Sequence, residues 1–382
     1  YEGTGRGFVL RFLHWLESQS RPLRRHDLQQ PIRWAAEDPV ERLIFDLLAL
    51  DAAPHPEPPL DGALVAEALD RDALASDEGL LRQAFGLLVH AHYRTTPGDL
   101  QRILDAPNLR LHVLRRGGWV VAVTLVAREG GLSPTLCEQL AAGRRRLRGH
   151  ALPDTLISHA GMTGAGTLQM IRSVRIATHP ACRRQGLAGR LVDHVHSHYQ
   201  PDLFGTMFGA TESLLQFRRA LGYELVRLGV SRGSRTGEPS VVMLRPCTPQ
   251  AAELIATLQV QLAGDLPVLL GEERELSEGL GAALSAGLPE AVPLSTDEIL
   301  AAVRRYAHGP CPSDVVIRPL RALATEHREQ LTAIPGGGLL CQRVLDGVPW
   351  RVLAASSGQS IPAAQRQARR ATQVLLGQLG SR

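Results

Sequence analysis

The sequence predicts an α/β fold followed by a mainly helical region, and three observations predict it. Residues 93–246 alternate apolar runs and amphipathic stretches in the order β-β-…-β-α-β-α-β-β. Within them residues 174–190, VRIATHPACRRQGLAGR, read as a strand, a turn and the opening of a helix. After Pro246 the composition shifts to Ala, Gly, Leu and Glu at helical spacing.

Taken in order, residues 8–16 and 40–50 have helical spacing, and residues 51–59, DAAPHPEPP, form a proline-rich loop. Residues 61–69 and 78–92 read as helices. Thr96 is an N-cap with Pro97 at the first position of a helix over 98–104. Two strands, 110–114 and 119–127, are joined by the turn 115–118. A partly helical, basic insertion follows over 129–166. Strand 171–178 and helix 185–198 flank the turn, and strand 203–208, helix 212–221 and strands 223–230 and 240–244 complete the order. Beyond it, 248–264 and 296–308 read as helices, as does 314–331 with Pro319 as an interruption. Residues 335–338 are a turn, 340–345 and 350–354 a small hairpin, and 363–379 an arginine-bearing terminal helix.

The length of 382 residues allows two or three domains, and 44% hydrophobic with 21% charged residues is a globular composition. No uncharged apolar run is long enough to cross a membrane, and no secretory h-region opens the chain. Five scattered cysteines without a Cys-x-x-Cys pair argue against a disulfide framework or a zinc site and fit a reducing cytoplasm; no metal is expected. All 42 Lys+Arg residues are arginine, so no phosphate loop ending in Gly-Lys-[Ser/Thr] exists in these residues. The net charge of +4 is mild, and clustering matters more, as in Arg144-Arg145-Arg146-Leu147-Arg148. The opening Tyr1-Glu2-Gly3-Thr4-Gly5-Arg6-Gly7 is loop chemistry, which leads us to expect a fragment.

The turn explains its own residues. Gly186 and the small Ala188 let backbone approach an anion closely, and the N–H groups at the following helix start attract it. The run Arg183-Arg184-Gln185-Gly186-Leu187-Ala188 resembles the [R/Q]-x-x-G-x-[G/A] loop by which Gcn5-related N-acetyltransferases (GNATs) hold the pyrophosphate of acetyl-CoA.

The order of motifs resembles the C-terminal two-thirds of the tRNA(Met) cytidine acetyltransferase (TmcA) family, which acetylates N4 of cytidine in RNA. Residues 1–8, YEGTGRGF, and 28–34, LQQPIRW, resemble late motifs of that family's helicase-like ATPase module. Residues 91–97, AHYRTTP, resemble its junction into the acetyltransferase, 175–189 its acetyl-CoA segment, and 208–223 the strand–helix–strand beyond. The resemblance implies the C-terminal part of a RecA-like helicase module over 1–92, and a GNAT domain over 93–246 with the 129–166 insertion. It implies a C-terminal tRNA-binding region over 247–382. It implies acetyl-CoA as cofactor, held by Ile176, Ala177, Thr178, Arg183, Arg184, Gln185, Gly186, Leu187, Ala188 and Gly189. Backbone N–H groups at 176–178 would serve the thioester arm, one as an oxyanion donor worth about 3 kcal/mol. It implies tRNA as partner, most plainly through the wobble cytidine of elongator tRNA(Met), in the cytoplasm and away from membranes. ATP with Mg is implied only where the Walker-bearing half is supplied, with Arg33 as the nucleotide-contacting arginine. The sequence departs from the family at Glu212-Ser213 and at Ala220, where a Gly-Glu pair and a basic residue are usual.

The general base stays open among His159, His179, Asp193 and Glu212, with His159 and Glu212 carried forward as catalytic candidates. Arg144, Arg145, Arg146 and Arg148, and Arg366, Arg369 and Arg370 at i, i+3, i+4 spacing, are the candidate RNA contacts. With aromatics at 4%, extensive stacking on aromatic platforms is not expected. Two other readings stand beside the leading one: a GNAT acting on a protein or small-molecule amine, and a catalytically silent RNA-binding remnant.

Overall fold

The computed structural model describes residues 14–17, 19, 24, 26, 31–91, 96–232, 238–272 and 277–380. The motif at 1–8, residues 28–30 of the second motif and 92–95 of the junction lie outside the described residues. The elements run α1 (His14–Glu17), α2 (Pro39–Leu48), β1 (Leu64–Leu69), α3 (Arg71–Ser76), α4 (Glu78–Ala91) and α5 (Pro97–Asp105). Then come β2 (Leu109–Arg116), β3 (Trp119–Gly130), α6 (Pro134–Ala141), α7 (Ala151–Asp154), β4 (Gln169–Thr178), α8 (Leu187–His198), β5 (Leu203–Gly209), α9 (Glu212–Ala220), β6 (Glu224–Arg232) and β7 (Pro239–Pro246). The remainder is helical: α10 (Pro249–Glu272), α11 (Glu278–Ser285), α12 (Thr296–His308), α13 (Ile317–Glu326), α14 (Arg328–Ala333), α15 (Gly337–Val344), α16 (Trp350–Ser356) and α17 (Ile361–Gly380).

Contacts divide the chain into two compact units, residues 1–128 with 173–200 and residues 129–172 with 201–382. The division falls inside β3 and β4, so neither 92/93 nor 246/247 is a boundary in it.

In the first unit β1, β2 and β3 form an antiparallel run, with Leu64 opposite Arg116 and Leu109 opposite Ala127. A register shift at Leu114/Arg115 bends β2 where its turn begins. The core gathers Phe85, Leu88, Ile103, Val113, Val123 and Ala177, and α8 adds Leu187 and Leu191 against Leu114 and Val121. Thr96 opens α5 as expected: the Asp99 carboxylate accepts from its N–H at 2.8 Å and its hydroxyl at 3.1 Å. Helix α2 is capped by Asp38, which accepts from Val40 N at 2.8 Å, yet it buries no residue, and Leu43, Ile44, Phe45 and Leu47 are exposed.

In the second unit β5, β7 and β6 pair antiparallel in that spatial order. Helix α10 lays Ala251, Ile255 and Leu258 into one core with Leu152, Leu203, Val242 and Leu244. By length and composition Pro249–Leu270 is long and apolar enough to cross a membrane; Glu253 and Asp265 are what break its uncharged run. A second core joins Tyr306 of α12, Leu320 of α13, Leu340 of α15 and Ala368 of α17.

Three expectations are corrected. Residues 64–69 are a strand rather than a helix, because a full ladder to β2 overrides their local spacing. The expected hairpin over 340–354 is two helices: Leu340, Cys341 and Val344 at i, i+1, i+4, then Trp350, Leu353 and Ala354 at i, i+3, i+4, bury helical faces in the core shared with α17. Pro319 sits in the first turn of α13, where its missing N–H costs nothing, and the chain breaks instead at His327.

Candidate functional site

The loop between β4 and α8 is built from below. The ring of His179 is buried and both its nitrogens are used: Nδ1 accepts from Ala181 N at 3.2 Å, and Nε2 donates to the His55 carbonyl at 2.7 Å. The bond from His179 N to the Val121 carbonyl at 2.9 Å holds the end of β4 to β3. This ring fixes the turn and has no free nitrogen for proton transfer. Buried Arg116 then reaches the loop: its Nη1 donates to the Pro59 and Leu60 carbonyls and to Gln185 Oε1 at 3.2 Å. Nothing in the sequence pointed to Arg116, since it reads as an ordinary residue at a β-turn.

Above that support the backbone is bent twice into left-handed conformation, at Arg184 (φ 60°) and Gly186 (φ 73°). A non-glycine residue held there costs about 1–3 kcal/mol, and such strain collects at ligand sites. A side chain placed on Gly186 or Gly189 would meet no atom within 4 Å, so the space before α8 is open. No side chain caps α8, which leaves its first-turn N–H groups without intrahelical acceptors. Arg183 and Arg184 are exposed beside them, and Leu187 is buried as the helix anchor. On β4 Ala177 is buried, while Ile176 and Thr178 are half-buried. The result is an anion cradle of backbone donors with two arginines at its edge.

The catalytic candidates are not brought together. His159 closes a wide π turn after α7, and burial, then the charge of Arg227, push its pKa down, against Asp154. Glu212 is exposed in the first turn of α9, where it accepts from Gln216 Nε2 at 3.0 Å beside Gly279 of α11. Asp193 lies exposed along α8. Sequence reasoning also missed a histidine cluster in the first unit. The rings of His112, His194 and His198 lie 5.0–5.8 Å apart between centroids. His112 is fully buried, its Nε2 lies 2.9 Å from the Tyr199 hydroxyl, and burial followed by its two histidine neighbours pushes its pKa down to about 3.

The basic candidates divide. Arg144, Arg145, Arg146 and Arg148 are exposed in the loop after α6, and among the described residues none has an ion-pair partner. Arg366 and Arg370 are exposed on α17. Arg369 is a correction: its guanidinium donates to the carbonyls of Tyr306, Gly309 (2.5 Å) and Cys311 (2.8 Å) and stacks 4.5 Å from the Tyr306 ring. It closes the C-terminus of α12, with both terminal nitrogens turned to these carbonyls rather than to solvent. Arg33 is exposed in the turn before α2.

The strand order and the cradle define a GNAT-type acetyltransferase domain, and residues 83–204 match the family model GNAT acetyltransferase 2. Residues 1–51 match the helicase-domain model of RNA cytidine acetyltransferase NAT10/TcmA. Over nearly all of its length the chain is similar to proteins of the TmcA family. It is 38% identical over 370 residues to the tRNA(Met) cytidine acetyltransferase TmcA of Nitrosococcus halophilus, covering 93% of this chain and 50% of that protein. The TmcA of Haloferax volcanii is 46% identical over 66% of this chain and 34% of its own length. For the TmcA of Vibrio cholerae the figures are 37%, 64% and 35%. The chain thus spans about half or less of these relatives, rather than two-thirds. Among solved structures, the ribosomal-protein-S18-alanine N-acetyltransferase of Escherichia coli aligns at TM-score 0.32 and 13% identity, over 49% of this chain and 95% of that one.

Proposed function

We propose that this chain carries the acetyl-transfer and RNA-accepting parts of an acetyl-CoA-dependent tRNA cytidine N4-acetyltransferase, the activity for which its TmcA relatives are named. The observation that carries the reading is the open, uncapped start of α8 with Gly186 left-handed before it. Acetyl-CoA, when bound, supplies an activated acyl group on a thioester. This chain's residues hold its pyrophosphate: the N–H groups of Gly186 to Gly189 by dipole and hydrogen bond, Arg183 and Arg184 by charge. Backbone at Ile176, Ala177 and Thr178 aligns the thioester arm and polarises its carbonyl. Transfer forms an N4–C bond and breaks the C–S bond, and one amine proton passes to the leaving sulfur. The cytosine amine is conjugated and barely basic, so that proton leaves late and needs only water or a neutral base. His159, kept neutral by burial and Arg227, has the right protonation state for that role.

The arginines at 144, 145, 146 and 148, without ion-pair partners among the described residues, favour a polyanionic acceptor over a small cationic amine. We assign 1–92 to the helicase-like module, 93–246 to the acetyltransferase and 247–382 to tRNA binding; the two family matches support the first two. ATP with Mg belongs to the half of the relatives that this chain does not match, and Arg33 is its contact from this side. Five free cysteines fit a reducing cytoplasm.

Calorimetry of acetyl-CoA binding tests the reading. The wild type binds, and Gly186→Glu, which places bulk and negative charge in the cradle, abolishes binding while circular dichroism is unchanged. A folded wild type that takes up no heat overturns it.

A further inference from the structure

The second unit contains a cavity of about 570 Å3, set among β6, α10, α12, α13 and the π turn that ends at His159. Its walls are mostly aliphatic, with Val226, Leu258, Leu262, Val292 and Val316 among them and Thr257 and Gln261 as neutral polar neighbours. Into this apolar space come Arg227 from β6, Arg305 from α12 and Asp265 from α10. Arg227 is half-buried, and among the described residues it meets no hydrogen-bond or ion-pair partner; its titratable neighbours are His159 and Cys311. Arg305 lies against Gly161, its head equally unpaired, at the exposed rim. The other acids on the wall are occupied: Glu298 caps α12 through Ser295 at 2.8 Å, and Asp314 holds Arg343 at 2.7 Å. Arg318 donates to the Val292 carbonyl at 2.9 Å. Burial pushes the Asp265 carboxyl up to about 7, against the pull of Arg318, so near neutrality much of it is an acid with a donor beside an acceptor.

A cationic, half-desolvated guanidinium without a partner is costly to maintain in an apolar wall unless a ligand meets it. The surroundings identify the ligand's class. Helix α12, which carries Arg305, ends at His308, and Gly143 lies against Pro310 just beyond, 3.1 Å from its Cδ to an added Cβ. Gly143 opens the loop of Arg144, Arg145, Arg146 and Arg148, so an unpaired basic track leads up to the helix whose arginine stands at the cavity mouth. A string of phosphates fits the track. A flat group with apolar faces, a mixed donor–acceptor edge and an adjoining phosphate fits the cavity.

We propose that this cavity receives one unstacked nucleotide of a single-stranded RNA segment whose backbone follows the loop at 144–148. Aliphatic side chains cover the faces of the base, Asp265 pairs with its edge, and Arg227 and Arg305 take the adjoining phosphate. The inference rests on the reading of an RNA acceptor and adds the place where a base is taken up.

Fluorescence anisotropy of the full chain with two labelled RNA pentanucleotides tests it, one with a central cytidine and one abasic at that position. The wild type binds the first about tenfold more tightly. In Asp265→Ala that ratio falls below about threefold, whereas Arg305→Gln, a rim substitution at the phosphate, weakens both oligonucleotides. An Arg144→Gln/Arg146→Gln variant weakens both oligonucleotides equally and keeps the ratio. A wild-type ratio near one, or a ratio unmoved in Asp265→Ala, overturns the proposal. Acetyl-CoA calorimetry on the same samples separates the two readings: with binding intact, only the cavity assignment falls; with binding absent, the acetyltransferase reading falls as well.

Discussion

Arg184 and His112 show two ways in which single residues carry this molecule. Arg184 is held left-handed where an anion would be received, while His112 is held neutral where water is excluded. The unfolded chain protonates a histidine near 6.5, whereas folded His112, pushed down to about 3, does not, so unfolding takes up a proton in that interval. The stability it confers is complete above pH 6.5 and is lost as pH falls from there toward 3. We expect urea midpoints to drop on acidification, with this residue contributing about 1.4 kcal/mol per pH unit below 6.5. In His112→Leu the slope between pH 6 and 4 flattens; an unchanged slope would place the acid sensitivity elsewhere. The turn at Gly186 and the helix start after it were legible because glycine followed by small residues favours a tight left-handed turn into a helix. Arg116 and His112 were not, since their roles depend on carbonyls and rings far away in sequence: Leu60 and Pro59 for the one, Tyr199 and His194 for the other.

Among elements, helices marked by caps were legible and short apolar runs were not. Thr96-Pro97 opens α5, and Ser295 with Glu298 opens α12. Residues 64–69 hold apolar positions that serve a helix or a strand equally, and the choice is made by β2, which no local pattern reveals. The same ambiguity hid α15 and α16, although Leu340/Val344 and Trp350/Leu353/Ala354 carry the helical spacing once α17 supplies a face to bury against. On α17 the spacing of Arg366, Arg369 and Arg370 was read correctly as one helical face, but not that α12 takes up the middle residue. Arg369→Gln leaves carbonyls at the end of α12 without their charged donor. We expect a loss of about 1.5–3 kcal/mol in thermal or urea unfolding. Affinity for RNA should not change under conditions where the variant stays folded. A variant of wild-type stability that binds RNA more weakly would return Arg369 to the nucleic-acid surface.

Over the whole molecule charge is nearly balanced, 42 arginines against 38 acids, so no global field draws in a polyanion. Any affinity for RNA should then come from arginines without ion-pair partners, and the structure separates these from the rest. Arg82 is held by Glu78 and Asp51, Arg172 by Glu129, Arg175 by Asp99 and Arg343 by Asp314. Arg144, Arg145, Arg146 and Arg148 have no such partners among the described residues. Each phosphate neutralised in single-stranded RNA contributes a slope of about −0.7 to log K against log salt. Replacing the four with glutamine should therefore lower the magnitude of that slope by up to about 3, as measured between 50 and 200 mM salt by anisotropy. Acetyl-CoA affinity should stay unchanged, since the donors proposed for it are backbone N–H groups of the α8 cradle with Arg183 and Arg184. A slope that survives the fourfold change would move the phosphate contacts to the remaining exposed arginines, Arg366 and Arg370 first, and the acceptor strand with them.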